Sequence, residues 1–422
     1  MKRAINYQGE RQAVLLLGNH RQSLTAIRSL HRAGWRVVVG VNGTSDRNYS
    51  AHRSRYVSEV WRHPEWTHDP QAFAAALHQY GAAKQLAALI PVNEAAMRHV
   101  APLREKLAKH VPIVMADASA ITTCMDKSAT MALCEQQDIP SAAYQEVKGT
   151  EATQAACEAL GLPCVVKPLD STELVFGVKA AIVRDKDDLS VLLHNREMQD
   201  RHVIVQRYLD GSRHNVYVAV DRGRLIAAAH VVILRTDRVD GTGLATAGVS
   251  TEAPLSLRQD TERFLKALNY TGIGCVQYMM NRSGSERSLL EFNVRFGGNY
   301  RIVEATGVPL TELAMDLWRG QTPQWGEDPW AFRRGVRYAW TCGALAGAKF
   351  ELRQGIIGRR QAAGLIGRAL FDAVRTPCHI SWSWRDPVPT LSELIRPFTH
   401  RPTSASTIRG EARDLAQAPP VS

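Results

Sequence analysis

Short apolar runs alternate with helix-period stretches through the first 116 residues, and this alternation narrows the fold more than any other feature of the chain. AVLLLG (13–18), WRVVVGV (35–41), LAALIP (86–91) and VPIVMA (111–116) are separated by helical stretches that run to about Gly34, from about Gln71 and from Glu94. Runs too short for a helix and apolar throughout suit strands buried on both faces of a parallel sheet. They predict a small doubly wound sheet. Such a sheet offers ligands the loops at its strands' carboxyl ends, here Gly18-Asn19-His20 and Pro91-Val92-Asn93-Glu94. Gly18 is not followed by the further glycines of a dinucleotide fingerprint, so this domain reads as a substrate-side one.

The pattern then changes. Asp126-Lys127 opens a helix, a second helix covers about 151–161, and PCVVKP (163–168) and GVKAAIV (177–183) read as strands. From 201 the chain is β-rich (HVIVQRYL, HNVYVAV, RLIAAAHVVIL, GCVQYMM, SLLEFNVRF), with one helix near 259–269 and another from 309 to about 320. At roughly 150 residues per domain, 422 residues make about three domains. The divisions fall at 1–116, 117–200, 201–320, 321–400 and 401–422, the last a Ser-, Thr-, Pro- and Ala-rich stretch expected to be a disordered tail. In 351–374 apolar and basic positions alternate. That stripe reads as packing on its own domain, the alternative being a membrane surface.

Charge and cysteine content exclude several classes. The chain carries 52 basic and 41 acidic residues, a net +11, of which residues 321–422 supply 14 − 8 = +6. A basic balance suits polyanions, but no homeodomain, zinc-ligand or basic-zipper pattern is present, so no sequence-specific nucleic acid partner is expected. Seven Cys without a CxxC predict reduced, buried thiols. The amino end reaches only five apolar residues in a row and no run approaches the roughly 18 of a membrane span, so a cytoplasmic protein is expected. The Gly-Lys dipeptide of a Walker A loop, HExxH and GxSxG are all absent, and the 14 His show no metal-ligand spacing.

The most informative chemistry lies in GCVQYMMNRSGSERSLLEFNVRFGG (274–298). Two strand-like runs flank a polar turn at Gly284, and a hairpin symmetric about that residue pairs Gln277 with Glu291. Alternation then sets Glu291, Asn293 and Arg295 on the same face and turns Leu290, Phe292, Val294 and Phe296 away from it. One carboxylate, two amide oxygens and a guanidinium in one patch suit Mg²⁺ and a phosphate. Lysines are scarce, 11 against 41 Arg, yet Lys127 opens a helix and Lys167 ends a strand, where a long cation can lean over a phosphate.

Taken in order, Lys127, VVKP (165–168), VQRYLDG (205–211) and Gln277 with LLEFNVRFGG (289–298) resemble the ATP-grasp superfamily over about residues 10–320, and most of all the carbamoyl-phosphate synthase large chain and related carboxylate-amine ligases. The resemblance implies an α/β fold: an amino-terminal doubly wound parallel-sheet domain (1–116), a two-lobed α+β ATP-grasp domain (117–200 and 201–320) and a small carboxyl-terminal basic extension (321–400). It implies ATP phosphates on Lys127 and Lys167, adenine against the hinge Gln206-Arg207-Tyr208-Leu209, and His214 at the ribose position. It further implies two Mg²⁺, with Mn²⁺ as a substitute, on Gln277, Glu291 and Asn293, and the transferred phosphoryl group on Arg295. The implied reaction activates a small carboxylate as an acylphosphate for capture by an amine, in a protein compatible with homo-oligomer formation. The chain departs from the family pattern at Gln206, where an acidic residue is common, at His214, where Glu is, and in LDSTELVFG after Lys167, whose only glycine is Gly177. A degenerate nucleotide-binding protein with a regulatory or scaffold role is the alternative.

Overall fold

The computed structural model describes residues 12–43, 50–170, 173–175, 178–321, 323 and 325–395; the expected tail at 401–422 and Gly177 lie outside these. Four strands, β1 (Ala13–Leu17), β2 (Arg36–Asn42), β3 (Glu59–His63) and β4 (Ala88–Pro91), form a parallel sheet in the order β3-β2-β1-β4. The buried runs of β1, β2 and β4 are the ones expected. In contrast, 111–116 forms no strand: it meets β4 through a single parallel bridge, Leu89 to Ile113. Pro112 lacks the N–H that a longer edge pairing needs. The fourth strand is instead β3, whose half-polar sequence EVWRH carries no apolar run. Gly18, at φ +112°, turns the chain from β1 into helix Arg21–Arg32.

A small sheet follows, built from β5 (Tyr144–Lys148), β6 (Cys164–Pro168), β7 (Ala181–Val183) and β8 (His202–Arg207) in the antiparallel order β5-β8-β6-β7. Its core includes Cys157, Val166, Leu192 and Val205, with helices Thr150–Leu160 and Lys186–His194 supplying one side. Because β8 pairs with both β5 and β6, the boundary expected at residue 200 falls inside this sheet.

The large sheet comprises β9 (Ser212–Asp221), β10 (Arg224–Thr236), β11 (Ala245–Ser250), β12 (Gly272–Met280), β13 (Arg287–Asn293), β14 (Arg337–Ala339) and β15 (Cys378–His379), ordered β13-β12-β9-β10-β11-β14-β15. The last two strands belong to the region expected as a separate extension, so residues 337–379 are tied into the main sheet by backbone hydrogen bonds. Within that region the chain breaks at Gly355 (φ +68°) into two packed helices, Thr341–Arg353 and Arg359–Arg375. The second buries Ala362 and Ala369 and leaves Leu370, Phe371 and Val374 exposed.

The β12–β13 hairpin has the expected register at its functional end, with Gln277 opposite Glu291 and Cys275 opposite Asn293. Beyond Gln277 the register slips by one, pairing Tyr278 with Leu289. Leu290 is the extra residue of this bulge. It lines the cleft beside Glu291 instead of pointing away, and Leu289 takes the buried place. All seven cysteines are free and buried, and among the described residues no helix is long and apolar enough to cross a membrane.

The two sheets meet at Gly211, where an added Cβ would strike the Met280 carbonyl and the backbone of Asn281. Overpacking against backbone admits no rotamer escape. Gly211→Ala should therefore lower the unfolding free energy by about 2 kcal/mol or more in urea titrations, whereas Gly326→Ala, which faces open space, should change it by less than about 0.5 kcal/mol.

Candidate functional site

Between the small and large sheets lies a cleft of about 1430 Å³. One floor of it is the polar face of the β12–β13 hairpin. Asn293 Nδ2 donates to Glu291 Oε1 at 2.8 Å, Arg295 Nη2 donates to Asn293 Oδ1 at 2.9 Å, and the same nitrogen donates to Glu94 Oε1 at 3.0 Å. Glu94 opens the helix after β4, behind the Asn93 cap, and its other oxygen lies 3.8 Å from Lys179 Nζ. A chain of alternating charge thus runs from the amino-terminal domain to Glu291. Burial pushes the Glu291 carboxyl up, but Lys179 and Lys127, the Asn293 amide and Arg295 outweigh it and hold the pKa below the ordinary value.

The opposing wall carries the lysines. Asp126 caps helix Lys127–Gln136, and Lys127 Nζ donates to the Pro168 carbonyl at 2.8 Å, which fixes it against the end of β6. Lys167 Nζ donates to Gln206 Oε1 at 2.8 Å. Gln206 is itself buried and anchored through Nε2 to the Ala142 carbonyl at 3.3 Å. An acid at Gln206 would cancel the charge on Lys167, whereas an amide orients the ammonium and leaves it charged. Burial, then the neighbouring Lys127, pulls the Lys167 pKa down to about 8.

Arg207, Tyr208 and Leu209 line the cleft where the chain passes from one sheet to the other. The N–H groups of Arg207 and Tyr208 are taken by the carbonyls of Ala143 (2.8 Å) and Pro163 (3.2 Å), and the Arg207 side chain pairs with Glu286. His214 does not line the cleft. On β9 the cleft is lined by Ser212 at the strand's start and then by Arg213, Asn215 and Tyr217, and His214 turns to the other side. There it bonds Ser212 and His230, each at 2.9 Å, and burial lowers its pKa. The structure therefore unites Lys127, Lys167, Gln206 to Leu209, Gln277, Glu291, Asn293 and Arg295, and excludes His214.

Two partners escaped the sequence reading. Lys179 sat within a run read as strand, although its rarity as a lysine marked it. Glu94 followed a strand end already singled out, but its pairing with Arg295 spans 201 positions.

The cations Lys127, Lys167, Lys179 and Arg295 gather about the carboxylates Glu291 and Glu94, with Asp170 also acting on Lys127, a basic balance suited to a polyphosphate. Among the described residues no three His, Cys, Asp or Glu side chains gather as metal ligands. Gln277, Glu291 and Asn293 offer hard oxygens that fit Mg²⁺ when phosphate oxygens complete its shell.

Comparison with known proteins shows what this chain is similar to. Residues 126–324 match the model of the carbamoyl-phosphate synthase L chain, ATP binding domain. Over these residues the chain resembles that ATP-binding domain. The chain is 25% identical over 220 residues to the carbamoyl phosphate synthase large chain of Agathobacter rectalis, covering 49% of this chain and 20% of that one. It is 24% identical over 198 residues to the D-alanine–D-alanine ligase of Thermoanaerobacter sp., covering 43% and 54%. It thus spans from a fifth to about half the length of these relatives. The fold is similar to that of biotin carboxylase from Campylobacter jejuni, solved as a beta-gamma-ATP complex, with TM-score 0.61 and 14% identity over 78% of this chain and 74% of that one.

The depressed pKa of Lys167 yields a direct check. From about 8 to 10.5 the unfolded chain holds this proton and the folded one does not, so this group makes stability rise with pH across that window. In a pH titration of the lysine side-chain resonances by NMR, one of the 11 lysines should titrate near 8, move upward when ATP is added, and vanish in Lys167→Arg. Titration of every lysine above pH ~10 would contradict the assignment.

Proposed function

We propose that this protein is a Mg-ATP-dependent ligase that activates a small carboxylate as an acylphosphate and passes the acyl group to an amine. The observation that carries the reading is the convergence of Gln277, Glu291, Asn293 and Arg295 on one wall with Lys127 and Lys167 on the wall facing it.

In this reading adenine lies against Arg207-Tyr208-Leu209 and the phosphates on Lys127, Lys167 and Lys179. Gln277, Glu291 and Asn293 would hold two Mg²⁺, whose chemistry is to neutralise phosphate charge and keep the γ-phosphoryl in line. Arg295, fixed by Asn293 and Glu94, meets the charge that develops on the phosphoryl oxygens. A substrate carboxylate oxygen attacks the γ-phosphorus, the bond to the bridging oxygen breaks, and ADP leaves. The amine nitrogen then attacks the acyl carbon, the C–O bond to phosphate breaks, and the departing phosphate takes the proton that nitrogen sheds. No protein nucleophile is needed, because positioning and charge neutralisation supply the acceleration.

The test is ADP formation by the full chain with Mg²⁺, ATP and pooled carboxylates and amines, with hydroxylamine trapping any acylphosphate as a hydroxamate. Wild type should form both. Glu291→Gln should lower both by about a hundredfold or more with its circular dichroism spectrum unchanged. ADP formation that survives Glu291→Gln refutes the site, and tight nucleotide binding without hydroxamate from any carboxylate refutes the ligase in favour of a nucleotide-binding protein.

A further inference from the structure

Beyond the face that carries Gln277, Glu291 and Asn293 the cleft continues to a second end. Arg21, the first residue of helix Arg21–Arg32, projects into it with its guanidinium 3.7 Å from the centre of the Trp340 ring. The ring is oriented by its Nε1, which donates to Glu393 Oε1 at 3.3 Å. Gly298 stands beside the guanidinium, and any side chain there would collide with it. Among the described residues Arg21 makes no ion pair within 4.0 Å, and its Nη1 is buried without a hydrogen-bond partner. Glu393 and Asp237 act on the guanidinium only from beyond ion-pair distance, and a planar cation held by stacking with an idle donor is prepared for an outside anion.

Unmet hydrogen-bonding capacity concentrates in the same cleft. Of 13 buried polar atoms without partners among the described residues, six belong to residues that line it. Three are donors (Arg21 Nη1, Arg213 Nε, Arg295 Nε) and three are acceptors (Asn215 Oδ1, Asn299 Oδ1, Glu351 Oε2). The Asn299 assignment is fixed by its neighbours, since Nδ2 donates to the Ala245 carbonyl and the Tyr338 hydroxyl, each at 2.9 Å, which leaves Oδ1 as the idle acceptor. Each idle buried atom costs about 1–3 kcal/mol, so their grouping in one cleft points to a ligand carrying acceptors and donors together. A phosphate supplies acceptors alone and would face the Asn oxygens unfavourably.

We propose that this end of the cleft binds the amine substrate, and that this substrate is an α-amino acid whose carboxylate sits on Arg21 and whose amino group faces the Asn215 and Asn299 oxygens. With the carboxylate committed to Arg21, the reactive end is the nitrogen, so the amino acid enters as the nucleophile and not as the group that is phosphorylated. Its side chain meets the wall made by helix Thr341–Arg353 and loop 237–244, which approach closely because Gly347 lets the Asp237 backbone come against the helix. The inference rests on the ligase reading for its chemistry but not for its binding.

Saturation-transfer NMR on the full chain separates the two. The protein is presented with pooled L-amino acids, with the matching amines that lack the carboxylate, and with ethanolamine phosphate, each with and without Mg²⁺ and a non-hydrolysable ATP analogue. At least one amino acid should bind, and the decarboxylated amines should bind at least about tenfold more weakly. Arg21→Ala should weaken amino-acid binding by about tenfold to a hundredfold while analogue affinity stays unchanged. Arg21→Met, which keeps the stem on Trp340, should show the same loss with an unshifted melting temperature. Equal binding of decarboxylated amines, Arg21-dependent binding of ethanolamine phosphate in place of any amino acid, unchanged binding in both variants, or no amino-acid binding under either condition would each overturn the proposal. Amino-acid binding without any binding of the analogue would uphold it and overturn the ligase reading.

Discussion

Glu291 keeps its charge inside the cleft because Lys179 and Lys127 face it, Asn293 donates to it and Arg295 stands two places beyond on the same strand face. A carboxylate moved from water into protein ordinarily takes up a proton. Here the surrounding cations reverse that tendency, and their positions depend on three separate parts of the chain. Glu94 comes from the parallel-sheet domain, Lys127 from the helix that packs against β13, and Lys179 from the approach to β7. The site exists only when these elements are docked.

The same arrangement explains why the cleft suits a metal-bound polyanion better than a bare one. Lys127 and Lys167 share one wall, and the depressed pKa of Lys167 records its burial first and the repulsion from Lys127 second. Phosphates relieve it, and Mg²⁺ lets Glu291 and the phosphates approach one another. Gln206 fits this balance, because its amide oxygen directs Lys167 without neutralising it. What looks like a departure from the ATP-grasp pattern leaves the charge of Lys167 uncancelled at this end of the cleft.

Much of this was legible in the order of residues. Strand alternation about Gly284 pairs Gln277 with Glu291 and sets Asn293 and Arg295 beside them, because a period of two leaves only two faces to choose between. The bulge at Leu290 was not legible, since no glycine or proline marks it. His214 was misplaced because a position inferred from resemblance ignored the parity of β9, on which Arg213 and Asn215 share the cleft. Nor did 111–116 pair as a strand, where one proline at an edge outweighed an apolar run. Contacts between distant segments, such as Arg295 with Glu94 and Arg21 with Trp340, leave no local trace at all. They arise from how three layers dock, and β14 and β15 entered the large sheet by the same route.

The central claim is that the cleft is a magnesium-dependent nucleotide site whose affinity is set by charge. Isothermal titration of ATP into the full chain, with and without Mg²⁺, tests it most directly. The account predicts saturable one-to-one binding with Kd below about 1 mM that requires Mg²⁺ and disappears when Lys127 and Lys167 are both replaced by Ala. Absence of ATP binding by the folded wild-type chain at millimolar nucleotide, or binding indifferent to both the metal and the lysines, would contradict it.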